Sequence, residues 1–313
     1  MTLKYRGIAF TAALLLLAVV LCVASCRKSE KVSARVFSSP EEAGDALQLA
    51  AKSDDQNALL AIFGPDSRQI IFSGDPVQDK SGINAFVTAY GVMHRWRQMA
   101  DGGQILIIGA DNFPLPIPLK KNANGQWFFD TIAGKHEILA RRVGRNELAI
   151  IDVCRAVADA QKEYFSQVHD GASTRNYAMK FISDPGRQNG LYWKSPEGQP
   201  VSPLGPMVAF ATAEGYSANP GAHAPFQGYY FHMLKGQSQR APGGALEYVV
   251  DGRLTRGFAF LAYPAEYGNS GVMTFMINQD DVVLQKDLGT TTTQTVTAMT
   301  EFDPDSSWSP VEQ

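Results

Sequence analysis

Residues 148–165 read LAIIDVCRAVADAQKEYF. Leu148, Ile151, Cys154, Val157, Ala158 and Phe165 recur at helical spacing and so share one face. Asp152, Arg155, Asp159, Lys162 and Glu163 fall elsewhere. An apolar stripe of this kind is stable only when buried against another element. Residues 134–168 are therefore expected to form one or two helices that bridge two halves of the chain.

Upstream, Ser39-Pro40-Glu41-Glu42 combines a cap, a first-turn proline and acids, which marks a helix start. Ala43, Ala46, Leu47 and Ala50 then share a face. Asp55 caps a short second helix through Leu59, Leu60 and Phe63, and Gly64-Pro65 stops it. A third helix is expected over 83–98, with Ile83, Phe86, Val87, Tyr90 and His94 at helical spacing. Strands are predicted over 104–110, 113–121 and 125–131, with a hairpin turn at Asn122 to Gly125. Pro114, Pro116 and Pro118 cannot donate to a ladder, so the middle strand should be an edge or irregular. Helices followed by an antiparallel sheet give an α+β order.

Downstream, Gly and Pro crowd residues 184–206 and a short helix follows at 207–214. Aromatic and β-branched strands are predicted at 225–235, 256–266, 271–278 and 282–288. A small hairpin, EYVVDGRL, and a Thr-rich helix over 290–301 complete this half.

At the amino end, Lys4 and Arg6 precede the uncharged 16-residue run Ile8 to Val23. A spanning helix needs roughly 20 apolar residues, so a secretory signal fits better. The exit, Val23-Ala24-Ser25-Cys26, resembles the bacterial lipobox. That resemblance implies cleavage before Cys26 and lipidation of its thiol, with several acyl chains for stable anchoring. Arg27, rather than Asp, follows the cysteine, so the signal for inner-membrane retention is absent, which points to the outer membrane in a Gram-negative cell. The expected organisation is a signal peptide (1–25), a lipidated tether (26–38), an amino-terminal α+β domain (39–133), the bridging region (134–168) and an antiparallel-sheet domain (169–313).

Three resemblances extend this reading. The element order of the first half, ending in GQWFFD, is similar to the nuclear-transport-factor-two-like cone, which implies a curved antiparallel sheet around a pocket. The second half resembles pilin and pseudopilin globular domains, a helix on an antiparallel sheet. It does so through Ala158-Asp-Ala160-Gln161-Lys-Glu-Tyr164-Phe165, Gly228-Tyr229-Tyr230-Phe231, Gly257 to Pro264 and Thr274 to Asp280. Residues 134–150 are charged, unlike a pilin membrane segment, so filament assembly does not follow. Across the mature chain, SGDPV (73–77), PLPIPL (114–119), ILARRVGRNEL (138–148), GLYW (190–193) and QKDLG (285–289) resemble an exported bacterial family, domain of unknown function 2950. That likeness implies an envelope protein and no particular activity.

The formal charge is −3, becoming −5 once the signal removes Lys4 and Arg6, so no basic footprint for nucleic acid exists. No HExxH, CxxC, GxSxG or phosphate-cradling glycine loop occurs, and no catalytic residue, metal ligand or cofactor is assigned. Cys154 is the one cysteine left to the mature fold, read as a small buried hydrophobe. The histidines are scattered, and Asn278 to Asp281 reads as a turn. The densest basic patch is Arg141, Arg142 and Arg145 with Asn146, a candidate anion- or partner-binding site. The alternative is a solvated helix face with Glu137 and Arg141 paired at i,i+4. The favoured function is a non-enzymatic, lipid-anchored envelope protein acting through contact with an envelope protein partner. A second reading is a small-ligand pocket using Phe86, Tyr90, Trp127 and Phe129. A third is a hydrolase or isomerase using carboxylates such as Glu266 and Asp280.

Overall fold

The computed structural model describes residues 34–217 and 224–312. Cys26, the expected signal peptide and most of the expected tether lie outside them. The first half holds α1 (Pro40–Lys52), α2 (Gln56–Phe63), α3 (Arg68–Ile71) and α4 (Pro76–Val92). Ser39 Oγ accepts from Glu42 N–H at 3.1 Å, and Glu42 reaches back to Ser38 N–H at 2.9 Å. The side chain of Asp55 caps α2 through Ala58 N–H, and Gly64 ends it at φ 89°. These caps satisfy backbone donors within one turn, which is why they were legible in the chain.

Strands β1 (His94–Gln98), β2 (Gln104–Ile108), β3 (Phe113–Pro114), β4 (Leu119–Lys121) and β5 (Trp127–Phe129) follow. They form one antiparallel sheet in the order β1-β2-β4-β5, with β3 also on β2. The prolines break the expected middle strand into β3 and β4. Two expectations change. The third helix stops at Val92, and His94 opens β1, paired with Ile108. The HRWRQ stretch has helical spacing only up to His94; its alternating pairing with β2 decides for strand. Phe37, assigned to the tether, is buried and bridges Trp127 through two 2.8 Å backbone bonds.

α5 (Thr131–Phe165) is one continuous helix, capped by Asp130. At 1.5 Å per residue it runs for about 52 Å. After α6 (Gly205–Ala213) come β6 (Tyr229–Leu234), β7 (Gly236–Gln237), β8 (Leu246–Glu247), β9 (Val249–Val250), β10 (Arg253–Leu254), β11 (Ala259–Pro264), β12 (Met273–Asn278) and β13 (Leu284–Asp287). α7 (Thr292–Ala298), β14 (Glu301–Phe302) and β15 (Ser309–Pro310) close the chain. The main sheet is antiparallel in the order β15-β13-β12-β11-β6. One of its faces packs Phe258, Phe260, Phe275 and Ile277 against Ile150, Cys154, Val157 and Tyr164 of α5. The other packs Leu261 and Met276 with Val296 of α7, Tyr248 and Trp308. With both faces covered, β11 and β12 are buried almost throughout instead of alternating. Leu148, placed on the buried stripe from its spacing, is 68% exposed, and Ile150 takes the core position instead. The EYVVDGRL hairpin forms as β9–β10, and Asn278 to Asp281 is the β12–β13 turn, with Asp281 at φ 64°. Helices and antiparallel sheets in this order make a mixed α+β fold.

Candidate functional site

The two halves meet where the start of α4 and the middle of α5 face the segments 214–217, 226–228 and 265–272. Asp75 caps α4, accepting from Val77 N–H at 3.1 Å and Gln78 N–H at 3.2 Å. Its other oxygen accepts from the Tyr216 hydroxyl at 2.8 Å and Gly228 N–H at 2.9 Å. Asp75 is fully buried, and four donors make a buried carboxylate tolerable. Burial, and then the neighbouring Asp75, push the Tyr216 phenol well above its ordinary value. Gly228 stands at φ 76°, and a Cβ there would lie 2.6 Å from Asn146 Nδ2, so only glycine fits.

One turn of α5 stitches to both halves. Arg142 is buried and donates to Gln69 O at 2.8 Å, Ile70 O at 2.5 Å and the Asn269 side-chain oxygen. Gln69 and Ile70 belong to the short α3, whose carbonyls have no helical partner ahead. Asn269 Nδ2 donates to Phe72 O at 3.0 Å and Glu266 Oε2 at 2.8 Å. Asn146, also fully buried, donates to Ser270 O at 2.9 Å and accepts from Gln78 Nε2 at 3.0 Å. Glu147 Oε1 takes Val272 N–H and Met273 N–H, both at 2.9 Å. Burial lowers the Arg142 guanidinium below its ordinary value.

The basic patch is thus divided among different tasks. Arg142 and Asn146 join the halves. Arg141 pairs with Glu137 Oε1 at 2.6 Å, as the helical spacing predicts, and lies 5.2 Å over the Phe113 ring. Arg145 is exposed and, among the described residues, has neither a hydrogen-bond nor an ion-pair partner.

Beside the stitch lies a cleft of about 580 Å³ between α4, α5, α2 and the segment 115–117. Its floor is apolar, with Leu59, Phe63, Ile70, Ile83, Phe86, Ile117 and Ile138. Its rim carries Arg141, Arg145, Gln78, Asp79, Glu214 and Tyr216. Of the aromatic residues expected in a pocket, Phe86 lines this one. Tyr90 packs on Leu106 and Ile108, and Trp127 and Phe129 belong to the amino-terminal core. Gln78 Nε2 is held by Asn146 and by Gln227 Oε1 at 2.7 Å, and Gln78 Oε1 is buried without a partner.

Burial raises the Asp79 carboxyl above its ordinary value, against opposing pulls from Ser73 and Arg142. The folded state therefore holds this proton more tightly than the unfolded chain. The resulting stability is complete below the unfolded value and is lost as pH rises through the folded one. Asp79→Asn keeps an acceptor for Ser73 N–H, now at 2.9 Å. It is expected to stabilise near about pH 7 and to lose that gain near about pH 3.5, read from urea midpoints. An equal gain at both values would contradict the assignment.

Other candidates separate. Glu266 lies in the β11–β12 loop and Asp280 in the β12–β13 turn, off opposite ends of a six-residue strand, so they do not form a carboxylate pair. Cys154 is fully buried, and burial pushes its thiol far up. His94 and His169 bind backbone carbonyls and stack on Tyr90 and Tyr164. His232 binds Met299 O, His136 is exposed, and His223 lies outside the described residues. No helix among the described residues is long and apolar enough to cross a membrane.

The residues that sequence reasoning missed are Asp75, Gln78, Tyr216, Gln227 and Asn269. Only Asp75-Pro76 left a signal, since an acid before proline is a helix start. No curated protein matches the chain, and no solved structure does, so the cone and pilin resemblances stand without a structural match. One family model, described as protein of unknown function (DUF2950), matches residues 34–311. The match spans nearly the whole chain and both sides of the stitched junction, and the protein therefore belongs to the DUF2950 family.

Proposed function

We propose that this is a lipid-anchored cell-envelope protein that holds a small, apolar-bodied molecule in the α4–α5 cleft without transforming it. The observation that carries the reading is the cleft itself. Its volume of about 580 Å³ lies in the usual range for small-molecule sites, roughly 300–1,000 Å³, with an apolar floor beneath polar and charged groups. The anchor reading rests on Cys26 at the end of the lipobox-like exit, and the membrane side is the outer membrane in a Gram-negative cell.

Gly82 supplies the test. It lines the cleft, and a Cβ there would meet nothing within 4 Å. Gly82→Leu fills space without disturbing the fold, and the helix gains up to about 1 kcal/mol of propensity. The full chain should bind the neutral dye N-phenyl-1-naphthylamine, and Gly82→Leu should bind it at least about tenfold more weakly at unchanged folding. Equal dye affinity would remove the cleft from consideration. Cys26→Ala should release the chain from membranes or stall its processing; unchanged partitioning and mass would end the anchor reading.

A second reading, contact with an envelope protein partner, is favoured by α6. Its sequence, GPMVAFATA, is apolar, none of its residues is buried, and Phe210 is 60% exposed. Phe210→Ser should dissolve any native-gel complex of the solubilised envelope that contains this chain; an unchanged complex would place the contact elsewhere.

A further inference from the structure

We propose that the cleft holds a short apolar peptide with both ends free, two or three residues long, its carboxylate on Arg145 and its ammonium on Glu214. This rests on reading the cleft as a ligand site. Charges of both signs line it, and they differ in what already occupies them. Arg141 is held by Glu137, and Arg142 donates to three oxygens. Arg145 is exposed and has no partner among the described residues. Glu214 accepts from Gln227 Nε2 at 2.8 Å, and Asp79 accepts from Ser73 N–H at 2.9 Å. Neither carboxylate has an ion-pair partner among the described residues. A purely anionic ligand would match Arg145 and be repelled by both carboxylates. A purely cationic one would leave Arg145 unmatched. A zwitterion with an apolar body answers both signs, and a guanidinium grips its carboxylate through two parallel N–H bonds.

A relay of amides fixes how far apart the two charges stand. Glu214 Oε2 accepts from Gln227 Nε2, and Gln227 Oε1 accepts from Gln78 Nε2 at 2.7 Å. Gln78 Nε2 also donates to Asn146 Oδ1 at 3.0 Å, and Asn146 directly follows Arg145 on α5. The relay holds Glu214 within on the order of 10 Å of the turn that carries Arg145. An extended peptide covers about 3.3 Å per residue, so the charged ends of a di- or tripeptide lie roughly 6–10 Å apart. That span fits better than a free amino acid, whose two charges share one carbon. The floor, with Ile83, Phe86 and Ile138, receives apolar side chains, while the peptide group stays at the open rim where water satisfies it. Burial raises the Asp79 carboxyl in the same lining, so a ligand of net negative charge is disfavoured there. A volume of about 580 Å³ accommodates a peptide of this length.

The test uses calorimetry on the full chain in nanodiscs of zwitterionic lipid, with empty discs as the blank. The probes are trileucine, N-acetyl-trileucine (no ammonium) and trileucine amide (no carboxylate). Both charge contacts lie at an exposed rim, so each blocked form should bind about fivefold more weakly than trileucine. Arg145→Gln should abolish the preference over the amide and keep the preference over the acetylated form. Glu214→Gln, which keeps an acceptor for Gln227, should do the opposite. A general charge effect would move both preferences together, so the crossed pattern identifies two separate end contacts. Gly82→Leu should weaken trileucine as it weakens the dye, which places the peptide in the cleft. Either blocked form binding as tightly as trileucine would overturn the proposal. So would preferences unchanged in the two variants, or trileucine binding unaffected by Gly82→Leu. If the neutral dye binds and trileucine does not, the peptide assignment fails while the cleft reading stands. If neither binds, both fall.

Discussion

Replacing Arg142 with methionine is expected to destabilise the protein by about 3 kcal/mol. Methionine approximates the arginine stem, so packing loss is small, and what disappears is the guanidinium. Three buried oxygens then lose their donor: Gln69 O, Ile70 O and the Asn269 side chain. Each unsatisfied buried acceptor costs about 1–3 kcal/mol, partly offset because the desolvated charge is gone too. For a chain of this size the change corresponds to a melting shift of about 5 °C. Arg142→Lys should recover only part of it, since an ammonium cannot reach three acceptors in a planar fork. Because Arg142 joins α3 to the β11–β12 loop through α5, the variant should also separate the unfolding of the two halves. A stability loss of less than about 1 kcal/mol from urea unfolding would mean that water or a rearranged neighbour replaces the guanidinium.

Asp75→Ala should be comparably severe, at about 3 kcal/mol. The cap of α4 contributes about 0.5–2 kcal/mol by itself. The remainder comes from the Tyr216 hydroxyl and Gly228 N–H, left buried without an acceptor. Tyr216→Phe leaves Asp75 with three donors but also takes the acceptor from Gln227 N–H, so about 1–2 kcal/mol is expected. Amide exchange supplies a local readout: Val77, Gln78 and Gly228 should lose protection in Asp75→Ala ahead of the β11–β12 core. Unchanged protection at Gly228 would show that Asp75 caps the helix but does not join the halves.

Much of the local architecture was legible because its causes are local. Ser39 with Glu42, Asp55 with Ala58 and Asn122 with Gly125 act within four residues, and residue type alone specifies them. Proline in the PLPIPL stretch breaks a ladder wherever it sits, so the split into β3 and β4 could be anticipated. Errors arose where period and context disagreed. His94 continued a helical spacing, but pairing with Ile108 captured it for the sheet. Leu148 fitted the apolar stripe of α5, but the sheet covers that helix only from Ile150 onward, and Leu148 faces water.

By itself the chain determined its class, the order of its elements, the apolar stripe of α5 and the lipobox-like exit at Cys26. All of these depend on residue type and short spacing. Tertiary structure decided the roles within the basic patch. Arg141, Arg142 and Arg145 are chemically identical and occupy one helical turn. Arg142 meets its Asn269 partner 127 positions away, and a contact over that separation leaves no periodic trace in the chain. Burial against that partner turns Arg142 into a structural joint, Glu137 occupies Arg141, and Arg145 alone of the three keeps, among the described residues, a guanidinium without a partner beside the cleft. The physical reason is that a side chain's chemistry is intrinsic, whereas its availability is set by what the fold packs against it.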